Sequence, residues 1–263
     1  MENKNKTVLI TGATSGIGYE LAKLFSKDGY SLIIVSRSED NAEKIADEMM
    51  AYGAAGVITI EKDLMEMGAG EELYKEVKEK GIEIDVLVND AGVGQHGLFV
   101  ENDLQRYMDI IHLNIVSLTA LTHSFLKDMV ARGSGRVLQL ASIASYQPTP
   151  LLNVYAATKA YVLSLTDSLI NELKDTGVTM TALIPGPTDT DFFRKADMLD
   201  TKAVEKLEDA SVVAKIGYDA LMAGEHHAVA PGMTKQIIMS SMFSNEMVAE
   251  MAHKQMEPQE NKK

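Results

Sequence analysis

The stretch Thr11-Gly12-Ala13-Thr14-Ser15-Gly16-Ile17-Gly18 decides how the rest of the chain is read. It follows directly on a short apolar run, taken as a first strand over Val8–Thr11. It precedes a segment of helical spacing that begins near Tyr19, in which Leu21, Leu24 and Phe25 share one face. Glycines in the order G-x-x-x-G-x-G permit a tight turn and a close backbone approach. Unpaired N–H groups at the start of the next helix then face the turn, and a pyrophosphate is the ligand that suits them. A glycine cluster by itself is only a strand-to-helix turn. The strand before, the helix after and the place at the chain start supply the context that nucleotide binding requires.

Working outward, β-branched runs recur at Leu32–Val35, Val57–Glu61, Val86–Asn89, Val137–Ala141, Thr179–Ile184 and Ala228–Ala230. Most lack apolar/polar alternation, as expected of strands buried on both faces. Helical segments lie between them, with Leu73 and Val77 on one face and Leu163, Leu169 and Leu173 continuing the pattern later. The alternation predicts an α/β fold: a single Rossmann-type, doubly wound parallel sheet of about seven strands, flanked by helices on both faces. No linker or repeat divides the chain, so residues 1–263 are read as one domain. Ligands in such sheets bind beyond the carboxyl ends of the strands.

The 263 residues suffice for a full core without disulfide or metal staples. With no Cys, thiol catalysis and Cys-ligated metals are excluded, and a reducing cytoplasmic location is expected. With 25 basic against 38 acidic residues, the net charge of −13 disfavours nucleic acid as a partner. No apolar stretch approaches the roughly 20 residues of a membrane span, and no signal peptide is visible. His226-His227, the only adjacent histidines, read as a solvated loop pair, and no metal site is expected.

Two further positions carry chemistry. At the end of the second strand, where an acid on a ribose 2′-hydroxyl is usual, the chain has Ser36-Arg37-Ser38. A guanidinium there can bind a 2′-phosphate that a carboxylate would repel, which favours NADP(H) over NAD(H). Later, Tyr155 and Lys159 stand at i and i+4 on one helix face. A free phenol has a pKa of about 10. A nearby ammonium favours the phenolate and is expected to bring Tyr155 toward neutral pH.

Together, the glycine pattern, Asn89-Asp90-Ala91-Gly92, Ser142 and Tyr155/Lys159 resemble the classical short-chain dehydrogenase/reductase family, from Val8 to about Phe193. The resemblance implies an NADP-dependent oxidoreductase moving hydride between nicotinamide and a small-molecule carbonyl or secondary alcohol. It implies Tyr155 as general acid/base, Ser142 on the substrate oxygen, Lys159 on the nicotinamide ribose and Asn114 anchoring a water that links Lys159 to solvent. For the cofactor it implies Gly12, Thr14, Ser15, Gly16, Ile17, Gly18, Arg37, Asp63, Asn89, Ala91 and Gly92, then Tyr155 and Lys159, and finally Pro185, Gly186, Thr188 and Thr190. Asp90 stands where the family usually has a second Asn. Thr14 and Ser15 replace the basic residue of many NADP-specific members, leaving phosphate recognition to Arg37. A catalytically silent nucleotide sensor or scaffold is the alternative, and the intact Asn/Ser/Tyr/Lys set argues against it.

Gln95, His96, Tyr146, Gln147, Phe192 and Phe193 are the candidates for the substrate wall. Residues 188–209 are long, charged and poorly periodic, as expected of a substrate lid. From Met233 onward six of the 16 Met fall within 24 positions. This Met-rich extension, 233–263, is expected to form a terminal helix packed on its own core or on a sister subunit, with a substrate gate or a membrane-surface contact as the sharper reading. A homo-oligomer, dimer or tetramer, is expected, and the residues from Glu257 are expected to fray.

Overall fold

Strands covered on both faces should bury consecutive residues, and Val8, Leu9 and Ile10 do so completely. In the computed structural model, which describes residues 5–259 except for the side chains of 39–42, all seven expected strands form. They are β1 (Thr7–Thr11), β2 (Ser31–Ser36), β3 (Gly56–Glu61), β4 (Val86–Asn89), β5 (Gly135–Leu140), β6 (Val178–Ile184) and β7 (His227–Val229). All pairs are parallel, in the order β3-β2-β1-β4-β5-β6-β7. The order reverses between β1 and β4, whose last residues Thr11 and Asn89 lie in register. That reversal opens the crevice in which such sheets hold ligands.

The helices are α1 (Gly16–Lys27), α2 (Glu39–Tyr52), α3 (Ala69–Glu79), α4 (Leu104–Ile111), α5 (Leu118–Arg132), α6 (Asn153–Glu172), α7 (Phe192–Lys195), α8 (Ala210–Ala223), α9 (Met233–Met242) and α10 (Asn245–Met256). On one face of the sheet, Val8, Ile10 and Ile34 pack with Leu21 and Phe25 of α1 and Leu221 of α8. On the other, Leu9, Ile33 and Leu87 pack with Leu73 of α3 and Phe125 and Met129 of α5. Successive strand residues thus feed opposite cores, which is why the runs show no alternation.

The structure departs from expectation at several points. Helix α1 starts at Gly16, three residues before Tyr19, with Ser15 extended (φ −162°) at the N-cap position. Strand β5 runs two residues further toward the N-terminus than Val137 and stops at Leu140. His227 lies in β7 rather than in a loop, 2.7 Å from Asp167. The Met-rich segment is two helices, not one. Met239, Met242, Met247 and Met251 are 43–75% exposed, so they do not pack on the chain's own core; α10 buries Val248, Ala252 and Met256 instead.

Glu257, expected to fray, accepts from the Lys202 N–H at 3.0 Å, and the Gln259 N–H donates to Asp200 O at 2.7 Å. Residues 260–263 lie outside the described ones. No helix among the described residues is long and apolar enough to cross a membrane.

Candidate active site

The segment leaving β1 must turn sharply to enter α1, and Gly12 does this with φ +80°. A Cβ at Gly12 would lie 2.8 Å from Asp90 Oδ2 and 2.9 Å from Ala91 N, and one at Gly18 would lie 2.5 Å from both Asp90 Oδ2 and Gly12 O. Only glycine lets the two turns after β1 and β4 nest. Thr11, which the sequence reading passed over, locks them: its buried Oγ1 accepts the N–H groups of Asp90 and Ala91, each at 3.2 Å. A hydroxyl in register with Asn89 at the strand ends was the available signal.

A cavity of about 1140 Å³ opens over these turns and runs along the carboxyl ends of the strands. Of the residues predicted for the site, Gly12, Thr14, Ser15, Gly16 and Ile17 line it after β1, Arg37 after β2 and Asp63 after β3. Ala91 and Gly92 do so after β4, Ser142 after β5, Tyr155 and Lys159 from α6, and Pro185, Gly186, Thr188 and Thr190 after β6.

Three predicted residues stand behind the wall instead. Gly18 is buried in the nested turns. The Asn89 amide donates to Thr122 Oγ1 (3.0 Å) and Gln139 Oε1 (3.1 Å), so it ties β4 to β5 and α5 rather than facing a ligand. Asn114 sits in a π-helical segment, His112–Ser117. Its side chain clamps both backbone groups of Val93, at 3.1 and 3.0 Å, and donates to Thr158 Oγ1 at 3.0 Å. That clamp fixes the loop over Gly92, beside which Lys159 Nζ also lies.

The N-terminal turn of α6 presents Tyr155, and Lys159 one turn on places Nζ 5.7 Å from the Tyr155 ring centroid. Lys159 is 3% exposed, and its ammonium donates to Leu140 O at 2.6 Å. Burial lowers Lys159 to about 8, partly offset by the charge of Asp90. Burial pushes Tyr155 up to about 12; the neighbouring Ser142 hydroxyl works in the lowering direction and Asp90 adds to the rise. The expectation that Lys159 would bring the phenol toward neutral pH is not met: desolvation dominates, and the lowering influence on Tyr155 comes from Ser142 rather than Lys159. Asp90 itself is raised to about 7 by burial, against the pull of Lys159 and the Gly18 amide, and its Oδ1 has no hydrogen-bond partner.

At the substrate end Gln147, Phe192 and Phe193 line the cavity as expected, whereas Gln95, His96 and Tyr146 do not. Gln95 is spent on Asp197 (3.0 Å) and Arg106 (3.3 Å), His96 bonds Met256 O at 2.9 Å, and Tyr146 packs beneath the sheet end with Val162 and Ile184. Phe192 stacks obliquely on Tyr155, with centroids 4.8 Å apart. The wall is completed by Met198 and Ala203 from the expected lid segment, by Met233 and the end of α10, Lys254 to Met256, from the Met-rich segment, and by Leu152, which the sequence reading had not placed there.

These features fit a dinucleotide: a cradle that a Cβ would fill, a long cavity and an exposed guanidinium at the end of β2. The family model for short chain dehydrogenases matches residues 6–199, and the chain belongs to the short-chain dehydrogenase/reductase family. An oxidoreductase of Bacillus subtilis (strain 168), YvrD, is 33% identical over 191 residues, covering 73% of this chain and 72% of that protein. An oxidoreductase of Staphylococcus epidermidis is 31% identical over 215 residues, 80% of this chain and 91% of its own. The short-chain dehydrogenase from Sphingobium yanoikuyae in complex with NADPH superposes with a TM-score of 0.81 at 26% identity, covering 91% of this chain and 97% of its own. The protein is thus an oxidoreductase of this family.

Proposed function

We propose that the protein is an NADP(H)-dependent reductase of ketones, equivalently a dehydrogenase of secondary alcohols, with Tyr155 as its general acid. The observation that carries this reading is the convergence of Tyr155, Ser142 and Lys159 on one wall of the cavity that begins at the glycine turn. A bound reduced nicotinamide supplies the hydride that goes to the carbonyl carbon. The remaining work falls to the protein. Ser142 and Tyr155 donate to the oxygen on which charge builds, and Tyr155 then gives it the phenolic proton. A phenol pushed up to about 12 carries that proton throughout the neutral range, so the free protein is set for reduction rather than oxidation. Lys159, buried one turn away, stabilises the phenolate that proton transfer leaves behind.

Arg37 supports the choice of NADP(H). It is exposed, lines the cavity where β2 ends, and makes no ion pair among the described residues. The same reading takes residues 1–263 as one domain, 188–209 as the substrate lid and 233–263 as an extension that finishes the pocket, in a cytoplasmic homo-oligomer. Tyr155→Phe should lower turnover of a responsive ketone by roughly 10³-fold while NADPH fluorescence on binding stays unchanged. Full turnover in that variant would remove Tyr155 from the mechanism, whereas a wild-type protein that binds NADPH but reduces no ketone would leave the pocket as a dinucleotide holder.

A further inference from the structure

The substrate end is amphipathic, and its two characters are spatially sorted. A buried apolar cluster of Leu152, Phe193, Ala196, Met198, Ala203 and Met256 runs up to Tyr155 and Phe192. Around it the cavity is lined by five cations, Arg194, Lys195, Lys202, Lys206 and Lys254, against two carboxylates, Asp191 and Glu205. The chain as a whole has the opposite balance, 25 basic to 38 acidic residues.

The cofactor does not account for all of this charge. Of the other cavity cations, Lys159 belongs to the catalytic wall, and Arg37 and Lys62 follow β2 and β3. The five follow β6 or come from α10, and β2 and β6 stand four strand spacings apart, roughly 19 Å. Arg194 and Lys195 lie close in sequence to Thr190, whose methyl packs against Gly16, so these two border the dinucleotide side. Lys202, Lys206 and Lys254 remain.

Their positions are fixed by long-range contacts. Thr201 bridges to Pro258, the Lys202 N–H donates to Glu257 O at 3.0 Å, and His96 holds Met256 O at 2.9 Å. Their present partners are weak competitors. Lys202 pairs with Glu257 (3.1 Å) and Lys254 with Glu250 (3.5 Å), neither acid lines the cavity, and the second pair is mostly exposed. Lys206 has no ion pair among the described residues. Exposed pairs of this kind contribute little, so an incoming anion displaces them at small cost.

We propose that the pocket selects an apolar ketone whose far end carries an anionic oxygen group, carboxylate or phosphate, held by Lys202, Lys206 and Lys254. This rests on the reductase reading above. The apolar chain buries against Met198, Ala203 and Met256, while the anionic end stays at the solvated rim, where its charge is compensated instead of being carried unpaired into the apolar wall.

The test uses a straight-chain methyl ketone in three forms: terminal carboxylate, its methyl ester, and terminal phosphate. Each exposed lysine contributes up to about fivefold, so kcat/KM for at least one anionic form should exceed that of the ester by about tenfold or more. The advantage should fall at high ionic strength and vanish in Lys206→Glu/Lys254→Glu. A carboxylate-only or phosphate-only advantage names the source of the anion; an ester turned over as well as both anions, or a ratio unmoved by the double variant, overturns the proposal. If no ketone is reduced, the reductase reading fails, and calorimetry with octanoate on the NADP-saturated protein judges the lysines separately. Octanoate binding that weakens about tenfold in the double variant sustains the anion site, and no binding to the wild type overturns it.

Discussion

The two ends of the cavity are built from different material. At the cofactor end, the turns after β1 and β4 touch backbone to backbone, Gly12 and Gly18 leave no space for a side chain, and the Thr11 hydroxyl holds both turns in register. At the substrate end, the wall comes from α7, the turn at Lys202–Val204 and α10, joined by side chains and by a clamp between residues 200–202 and 257–259. Leu151 and Asp197 there take left-handed backbone, with φ of 64° and 57°. The first end presents peptide groups common to any sequence that can make the turn. The second presents side chains that differ from one chain to the next, and selectivity for the substrate belongs to it.

That contrast predicts unequal tolerance. Gly12→Ala places a methyl against Asp90 Oδ2 and Ala91 N in a left-handed residue, combining overpacking with backbone strain. NADPH affinity should fall by roughly 100-fold, read by fluorescence titration, with Tm reporting any general loss of fold. Unchanged affinity would mean that the nested turns do not shape the nucleotide site. Arg37→Asp alters the same end through one side chain. It should cost about 10- to 100-fold in NADPH affinity with little change for NADH, since charge-assisted bonds to a phosphate are lost and a repulsive charge is gained. Equal effects on both cofactors would remove Arg37 from phosphate recognition.

The same contrast explains what could be read in advance. The cofactor end was legible because its parts are contiguous and each follows a strand: the glycine turn, Ser36-Arg37-Ser38 and Asp90-Ala91-Gly92. All seven strands were legible from short β-branched runs between helical segments, most of them without apolar/polar alternation. Asn89 and Asn114 were placed in the site by resemblance, but whether an amide faces a cavity or braces its wall depends on partners far away, Gln139 and Thr158 among them. The contacts that hold the end of α10 were illegible for the same reason: His96 and Met256 are 160 residues apart, and nothing in either segment signals the other. The exposure of the Met-rich faces was also hidden, since Met spacing shows a helix and not which side of it is covered.

Ending the chain after Met256 probes the substrate end without touching the turns. The Glu257 and Gln259 backbone bonds to residues 200–202 are lost, and the wall around Met198 and Ala203 loosens. KM for a ketone should rise by roughly 3- to 10-fold, at about one net hydrogen bond of stabilisation, while NADPH affinity stays within error. A parallel loss of NADPH affinity would show that the two ends are mechanically coupled.

Asp90 is where the two ends meet, and its effect is the smallest and the most diagnostic. Its carboxyl is raised to about 7, so it is neutral in mild acid and charged above. When charged it raises Lys159, set at about 8, and Tyr155, set at about 12. In Asp90→Asn that support is absent, so both groups should lose their protons at lower pH. The alkaline fall of ketone reduction should then begin earlier, by up to roughly one pH unit. Below about pH 7 the wild-type carboxyl is itself protonated, and the two profiles should converge. Stability gives an independent check on sign. A carboxyl raised in the folded state favours folding below its unfolded pKa and loses that advantage as pH rises through about 7. The Tm of Asp90→Asn relative to wild type should therefore increase from acid toward pH 8. A variant whose profile moves but whose relative Tm is flat would place the charge effect in the bound complex rather than in the free protein.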